Sequence, residues 1–351
     1  MTSFNLPLKK YFSLTIMSAV FILASCGGAD SGISGTAITK IIFYDEQAME
    51  PYTVKKYISI DINGSGEQID EREYAGEGRD GVWFTQDDVL ARYKDYEFND
   101  SGKVKKILEY TANIYPSDYG YTLISRTDYK YDGAYIRYII RYSSGMDGSF
   151  DTDDDVITGV IKEMLNVVNK VDKRIVYSSY GDDMEWFTRD DLISSHYAYE
   201  YTAAGKINKY IHYTGTGPDG AIFTGDDMVY MYSTYSYNQR NALISVMRYG
   251  NSPEFYGPDG IFMTHDDLVN HSYQYATDFD DNGSPARSVY ATHAGSDGVW
   301  KTEDDIIGTY FDVLYDLSGN LNSQTIFSNG ADGEWFTNDD RPIFYYEYSA
   351  Y

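Results

Sequence analysis

Residues 78–89 read Gly-Arg-Asp-Gly-Val-Trp-Phe-Thr-Gln-Asp-Asp-Val, and this stretch recurs along the chain. Seven copies follow the approximate pattern Gly-x-Asp-Gly-x-aromatic-aromatic-Thr-x-Asp-Asp-apolar, and they begin at Gly78, Gly145, Gly181, Gly217, Gly257, Gly295 and Gly330. Successive spacings are 67, 36, 36, 40, 38 and 35 residues. Because a nearly fixed period of this length is typical of repeat proteins, the chain is predicted to use one supersecondary unit many times.

Two places depart from this regularity. The first spacing, 67 residues, is close to two periods, which predicts a degenerate copy at residues 113–120 that has lost its Asp-Asp end. The third copy has Asp182-Asp183-Met184 where the others have x-Asp-Gly. The repeat is therefore expected to continue through residues 113–120 without an acidic loop.

A second pattern lies between the acidic loops. Residues 199–207 read Tyr-Glu-Tyr-Thr-Ala-Ala-Gly-Lys-Ile, and residues 96–104 and 315–321 are similar. Asn, Asp and Gly in the middle favour a tight reversal because they tolerate positive φ, and the flanks alternate with the period of two that is typical of strands. Each repeat is thus predicted to be a hairpin. Eight hairpins are expected, with turns near Gly64, Gly102, Gly133, Asn169, Gly205, Asn238, Gly283 and Gly319.

The pattern Tyr-x-Tyr-Asp/Asn-x-x-Gly-Lys/Asn-Ile/Leu/Val resembles the bacterial YD, or RHS-type, repeat. The resemblance covers most of residues 57–351, although Glu, Asn or Thr often replaces the Asp of the YD pair. It implies long antiparallel sheets of consecutive hairpins that coil into shells or spirals. The core and cleavage segments of the large toxin members have no visible counterpart in this sequence, so the resemblance implies architecture and not toxin function.

The predicted fold class is all-β: an array of antiparallel hairpins that forms one continuous meander sheet, curved, coiled or closed. A β-propeller is the alternative, since seven or eight repeats of about 40 residues are typical of propellers in number. A propeller blade needs four strands, whereas the acidic loop leaves roughly 24 residues per repeat, enough for two strands and a turn. The meander is therefore favoured, and the twist of its hairpins is expected to curve it.

The first 26 residues predict an exported, lipid-anchored protein. Lys9 and Lys10 precede a mostly apolar stretch over residues 11–24, which is too short to span a bilayer as a helix and is typical of a signal peptide. Leu23-Ala-Ser-Cys26 resembles a bacterial lipobox, and Cys26 is the only cysteine. We therefore predict a signal peptide at 1–25, lipidation of Cys26 with a Gly/Ser-rich tether at 26–37, and a β-hairpin repeat domain at 38–351.

The lipid anchor predicts a location in the cell envelope. By resemblance to Gram-negative lipoproteins, Gly27 rather than Asp after the cysteine favours the outer membrane. No segment after residue 37 approaches 18 consecutive apolar residues, so the lipid anchor is expected to be the contact with the membrane.

The composition bears on the class of partner. The formal net charge is −26, which argues against nucleic acid or an anionic membrane surface as a partner. Aromatic residues make up 17% of the chain, which argues against disorder despite the high charge. An envelope protein or a glycan is the expected partner.

Sequence evidence for catalysis is thin. No nucleophile elbow, P-loop, dinucleotide fingerprint or HExxH motif is present. None of the histidines lies at a recurring repeat position, and each is predicted to be a sheet-surface residue: His196, His212, His265, His271 and His293. The chain is therefore predicted not to be an enzyme. A hydrolase would require one loop to differ chemically from its siblings, and the candidate is the third, with Asp182, Asp183, Glu185, Asp190 and Asp191.

Each acidic loop carries three aspartates at fixed positions, and these are the candidate site residues. The first loop aspartates are Asp80, Asp147, Asp183, Asp219, Asp259, Asp297 and Asp332; the second are Asp87, Asp154, Asp190, Asp226, Asp266, Asp304 and Asp339; the third are Asp88, Asp155, Asp191, Asp227, Asp267, Asp305 and Asp340. The spacing of Asp80, Gly81 and Asp87 matches positions 5, 6 and 12 of an EF-hand loop, but Gly76 and Gly78 stand at positions 1 and 3.

These aspartates predict weak calcium binding, with Kd on the order of 10⁻⁴–10⁻³ M as in extracellular modules. Two carboxylates about 6 Å apart repel by roughly 3 kcal/mol at an effective dielectric constant of 20, and a cation would offset that repulsion. The alternative is a structural loop in which Asp-Gly makes a turn, Thr caps it and Asp-Asp stays solvated.

The expected function is a cell-envelope scaffold for structural or interaction roles, with calcium in the acidic loops. The alternative is a lectin-like module that binds carbohydrate or another ligand through exposed Tyr and Trp. The loop aromatics could serve as sugar-stacking platforms, but packing between repeats is the favoured interpretation: Trp83, Phe84, Trp186, Phe187, Trp300, Trp335 and Phe336.

Overall fold

The structure is a computed structural model that describes residues 36–45, 53–64, 67–112, 120–188, 190–316 and 320–350. The predicted signal peptide, Cys26 and the tether up to residue 35 lie outside the described residues. No helix among the described residues has the length and apolar character needed to cross a bilayer. Besides one short 3-10 helix, Pro253–Phe255, the described residues form 18 strands.

The strands are 7 to 12 residues long and follow one another at short intervals. They are β1 (Thr36–Tyr44), β2 (Val54–Ile62), β3 (Gln68–Tyr74), β4 (Leu90–Phe98), β5 (Val104–Ala112), β6 (Tyr121–Asp132), β7 (Ile136–Ser143), β8 (Val156–Leu165), β9 (Val171–Ser179), β10 (Leu192–Tyr201), β11 (Ile207–Gly215), β12 (Met228–Tyr237), β13 (Leu243–Gly250), β14 (Ser272–Phe279), β15 (Pro285–His293), β16 (Ile306–Tyr315), β17 (Leu321–Ser328) and β18 (Arg341–Ala350).

Every strand pairs antiparallel with the strand before it and the strand after it in the sequence. The sheet closes because β1 also pairs with β18, in a register that runs from Thr36 opposite Ala350 to Phe43 opposite Phe344. The all-β class and the continuous meander are therefore confirmed, and the sheet is a closed barrel. The β-propeller and the open coil are wrong, because consecutive hairpins hydrogen-bond to each other in one sheet and the terminal strands leave no edge.

The connections differ at the two ends of the barrel. The acidic loops leave odd-numbered strands and lie together at one end, here called the acidic rim, while the short turns lie at the other end. The predicted turns connect each of the eight even-numbered strands from β2 to β16 to the strand that follows it. Gly319 itself lies outside the described residues. In one of them, Asn99 accepts hydrogen bonds from the amides of Ser101 and Lys103, and Gly102 has a φ of 76°. The eight hairpins are confirmed, and β1 and β18 complete the 18 strands.

The degenerate repeat falls where β5 ends at Ala112 and β6 begins at Tyr121. Two strands thus flank the stretch that was predicted to have lost its acidic loop. Residues 113–119 lie outside the described residues.

The two faces of the sheet differ in how deeply their tyrosine side chains are buried. Cross-strand partners share a face, and following them around the barrel places Tyr199 and Tyr210 on one face and Tyr93 and Tyr110 on the other. The hydroxyls of Tyr199 and Tyr210 lie much deeper in the protein than those of Tyr93 and Tyr110. We call the first the lumen face and the second the outer face.

The lumen face pairs its charges across neighbouring strands. Glu163 has no exposed surface and accepts hydrogen bonds from Arg137 on β7 and Arg174 on β9, the latter through Nη2 at 2.6 Å. Lys94 and Glu71 form another lumen pair, at 2.7 Å. Because a buried charge needs a partner to offset its lost hydration, these pairs are what allow ionised side chains on the inner wall.

Candidate functional site

The first loop aspartates are all exposed at the acidic rim, and each makes the same local hydrogen bond. Oδ1 of Asp80 accepts from the amide of Val82 at 2.8 Å, two residues later. The same bond recurs in the other six loops at 2.7–2.9 Å. This is an Asx turn, so the role of the first loop aspartate within its loop is to start the reversal.

The second loop aspartates hold the two halves of each loop together. Oδ2 of Asp87 accepts from the amides of Arg79 and Asp80 at 2.6 and 3.1 Å, and Oδ1 accepts from Thr85 Oγ1 at 2.8 Å. The threonine bond recurs in all seven loops at 2.6–2.8 Å. Both oxygens of the second loop aspartate are therefore engaged inside its own loop.

The third loop aspartates lie against the outer face of the barrel, where strand side chains join the loops to the sheet. Asp88 is buried, and its Oδ2 accepts from the amides of Phe84 and Thr85 and from Tyr57 Oη of β2 at 2.7 Å. Tyr232 and Tyr275 donate in the same way to Asp267 and Asp305. The alternative prediction, a purely structural loop, kept both residues of the Asp-Asp pair in solvent. This is wrong for the second residue of the pair, which is the third loop aspartate.

In three loops the strand residue that faces the third loop aspartate is not a tyrosine. Arg126 Nη1 donates to Asp155 at 2.8 Å, and His196 Nε2 lies 2.9 Å from Asp227 Oδ2. Val160 of β8 stands in the position that corresponds to Tyr57, so among the described residues no strand hydroxyl reaches Asp191, and its Oδ2 accepts from the amide of Phe187 at 2.8 Å. His196 has no exposed surface, so the prediction that each histidine is a sheet-surface residue is wrong there.

The third loop keeps the geometry of its siblings despite its altered sequence. Met184 replaces the second glycine and adopts a φ of 60° in its place. Asp183 still accepts from the amide of Glu185 at 2.9 Å, and Thr188 still donates to Asp190 at 2.7 Å. The hydrogen bonds of its first and second aspartates therefore match those of the other loops, and the difference lies in the strand partner of Asp191, which is missing from the described part of the chain.

The loop aromatics pack on the outer face of the barrel. The seventh residue of every copy has positive φ, as in Phe84 with 70° and Phe336 with 67°. This conformation turns the chain back, so that Phe84 and Trp83 contact the ring of Tyr57 at centroid distances of 4.8 and 6.0 Å. Comparable contacts recur for Trp186, Phe187, Trp300, Trp335 and Phe336. These contacts agree with the packing interpretation.

Hydrogen bonding shifts the titration of the second loop aspartates. The Thr85 hydroxyl first, and then the amides of Arg79 and Asp80, hold the pKa of Asp87 below its ordinary value of 3.8. The pKa of each equivalent is lowered too, with a hydroxyl donor as the largest cause. The folded loop thus favours the ionised carboxylate.

Acid is therefore expected to weaken the protein through these loops. The pKa of Asp87 in the folded protein lies below its value in the unfolded chain. The stability that the ionised carboxylate contributes is therefore fully present above pH 3.8 and is lost as the pH falls through the lower folded pKa. Thermal unfolding from about pH 6 down to about pH 2 should show Tm falling in the acid part of the range. Carboxyl NMR of Asp87 checks the cause: Thr85→Val should raise its pKa, and titration of the native Asp87 at or above 3.8 would contradict the account.

The structure places the predicted metal ligands in separate roles. The first aspartate of a loop accepts its own turn amide, the second holds the loop and the third is directed to the barrel. Among the residues that the structure describes, no group of three or more His, Cys, Asp or Glu side chains is arranged to hold a metal ion. The calcium prediction stays a prediction, and the hydrogen bonds give each loop a structure made from its own donors.

The fifth loop differs from its siblings in a way that sequence reasoning missed. Six residues, 251–256, separate β13 from Gly257, and they contain the 3-10 helix. Asn251 donates to Val229 O at 2.5 Å, and Tyr256 stacks on Phe262 with centroids 5.2 Å apart. A cleft of about 490 Å³ lies between this insertion and the fourth loop, and Tyr230, Tyr256 and Met228 are among its lining residues. The spacing of 40 residues before this copy is the sequence signal for the insertion.

Comparison with known proteins gives only weak likenesses. No family model matches the chain, and no curated protein matches it. A porin-like protein from Bacteroides uniformis is 10% identical, with 90% of this chain and 98% of that chain covered and a TM-score of 0.37. A protein of unknown function from Bacteroides fragilis is 13% identical, with 39% and 91% covered and a TM-score of 0.28.

The structural neighbours also include Tc toxin proteins with YD/RHS repeats. The Photorhabdus luminescens Tc holotoxin pore is 9% identical, with 88% of this chain and 19% of that chain covered and a TM-score of 0.23. This chain thus spans about a fifth of the toxin chain.

Proposed function

We propose that this chain is a cell-envelope scaffold, anchored by lipid on Cys26, whose acidic rim is a contact surface for cations. The observation that carries the proposal is the placement of the seven acidic loops at one end of a closed barrel. Each loop turns its first aspartate to solvent, and the second aspartate is exposed in five of the seven. A closed sheet has no edge strand on which another chain could add, so the barrel suits the rigid display of these loops.

Calcium is the cation proposed for the rim, and thermal unfolding tests it. Calcium at about ten times a Kd of 10⁻³ M should raise Tm relative to EGTA, because a ligand that binds only the folded state stabilises it. Replacing the seven first loop aspartates with Asn keeps the turn acceptor and removes the charge, and it should abolish the rise.

The matched control removes seven acidic charges near the opposite end of the barrel. It replaces Glu67, Glu97, Asp100, Asp132, Glu200, Asp278 and Asp281 with their amides. This variant should keep the calcium response. Equal responses in both variants, or no response in the native protein, would show that the rim is not a calcium surface.

Glycan binding is the second candidate function, and the cleft beside the fifth loop is the observation that favours it. Tyr230 is 52% exposed in this cleft, and exposed aromatic rings are suitable platforms for sugar faces. A glycan array should give selective binding that Tyr230→Ala removes and Tyr180→Ala, an exposed tyrosine of another loop, does not. An array without a selective signal would leave the scaffold as the function.

A further inference from the structure

One arginine of the lumen face departs from the pairing of its neighbours. Arg248 of β13 is 7% exposed, and no carboxylate of the described residues lies within 4.0 Å of its guanidinium. Its side-chain contacts are a hydrogen bond from Nη1 to Ser272 Oγ at 3.2 Å and the ring of Tyr290, whose centroid is 5.6 Å away. Arg137 and Arg174 on the same face both bind Glu163.

Two buried hydroxyls flank this arginine. Ser233 of β12 and Ser272 of β14 are the direct cross-strand partners of Arg248, and their exposures are 1% and 0%. The Oγ atom of Ser233 has no hydrogen-bond partner among the described residues. Side chains of direct partners stand about 5 Å apart at Cβ, so both hydroxyls lie beside the arginine side chain.

Burying the Arg248 guanidinium and the Ser233 hydroxyl costs free energy unless a further group binds to them. A guanidinium does not lose its proton in a protein, and a buried charge or hydroxyl without a partner loses hydration that nothing replaces. An oxyanion would satisfy both, because the guanidinium fork matches carboxylate and phosphate oxygens and serine hydroxyls donate to the same oxygens. We infer that Arg248, Ser233 and Ser272 form an oxyanion-binding site in the lumen wall.

The surroundings define the class of ligand. Closed sheets of 16 to 18 strands enclose an interior wider than their side chains fill, and the lumen face near Arg248 carries other short side chains such as Ser288 and Thr309. The net charge of −26 repels polyanions at long range. The ligand is therefore a small molecule that carries a carboxylate, phosphate or sulfate group.

Thermal unfolding of the purified full-length protein tests the site with acetate, phosphate and sulfate, each against chloride at equal ionic strength. A hundredfold excess of the bound anion over its Kd should raise Tm by about 4 °C in a saturable way. Arg248→Met should abolish this rise. Arg240→Met, in the exposed β12–β13 turn, removes the same charge and should keep it. A response to acetate alone assigns a carboxylate, and a response to phosphate and sulfate assigns a tetrahedral oxyanion.

The same measurements can overturn the inference. An equal Tm rise in all three proteins would be the general effect of excluded salts on stability, and no rise in the native protein would leave Arg248 as a charge solvated by lumen water. Where Arg248→Met does not fold, Arg248→Lys keeps the charge and loses the fork. That variant should bind the anion at least about tenfold more weakly, and an unchanged affinity would contradict the site.

Discussion

Replacing Asp155 with alanine is expected to lower the free energy of unfolding by about 3 kcal/mol. The side chain of this third loop aspartate is 3% exposed, and it accepts from the amide of Asp151 and from Arg126 Nη1, both at 2.8 Å. The substitution leaves that amide without its acceptor and removes one partner of a half-buried arginine. Denaturant unfolding measures the loss.

Asp153 provides the matched control, because it is an exposed aspartate two residues away in the same loop. Asp153→Ala should change the free energy of unfolding by less than about 0.5 kcal/mol. If both variants lose the same stability, or neither does, the third loop aspartate does not join the loop to the barrel.

Replacing Gly217 with alanine is expected to destabilise the protein by about 3 kcal/mol, because the fourth loop leaves no space for a methyl group. A Cβ atom at this position would lie 2.2 Å from the carbonyl oxygen and 2.4 Å from Cγ of Asp226. The carbonyl belongs to the backbone and cannot rotate away. The substitution therefore separates the two halves of the loop that Asp226 holds together.

Gly225 in the same loop separates this steric effect from the ordinary effect of alanine on the chain. A Cβ atom there would meet nothing within 4 Å, so Gly225→Ala should be close to neutral. Equal stability of the two variants would show that the loop opens readily, which contradicts the close contact between Gly217 and Asp226.

Much of the fold was predictable from the sequence because turn chemistry and strand alternation are local. The turns at Gly102 and Gly205 and the period-two flanks around them were enough to predict consecutive hairpins. Closure of the barrel was not predictable, because it depends on the pairing of β1 with β18, which are about 300 residues apart. No local pattern in Thr36–Tyr44 specifies that partner.

The candidate site was predictable in its residues and not in its roles. The repeat identified all 21 loop aspartates. Because the three aspartates of a loop are the same residue type, the sequence alone does not distinguish their roles. Their difference arises in three dimensions, because Asp88 meets Tyr57 from a strand about 30 residues earlier while Asp87 meets the amides of its own loop. The insertion at 251–256 was visible as a long spacing, but the cleft it forms depends on the neighbouring loop.

Amide hydrogen exchange in EGTA tests most directly whether the acidic loops are held by their own hydrogen bonds. The informative amides are those that donate to the third loop aspartates, in Phe84, Asp151, Phe187, Phe223, Met263 and Lys301. These amides should exchange slowly without calcium, because the carboxylates accept from them in the folded loop. Exchange at unfolded-chain rates in EGTA, with protection that develops only when calcium is added, would show that a metal ion and not this network builds the rim.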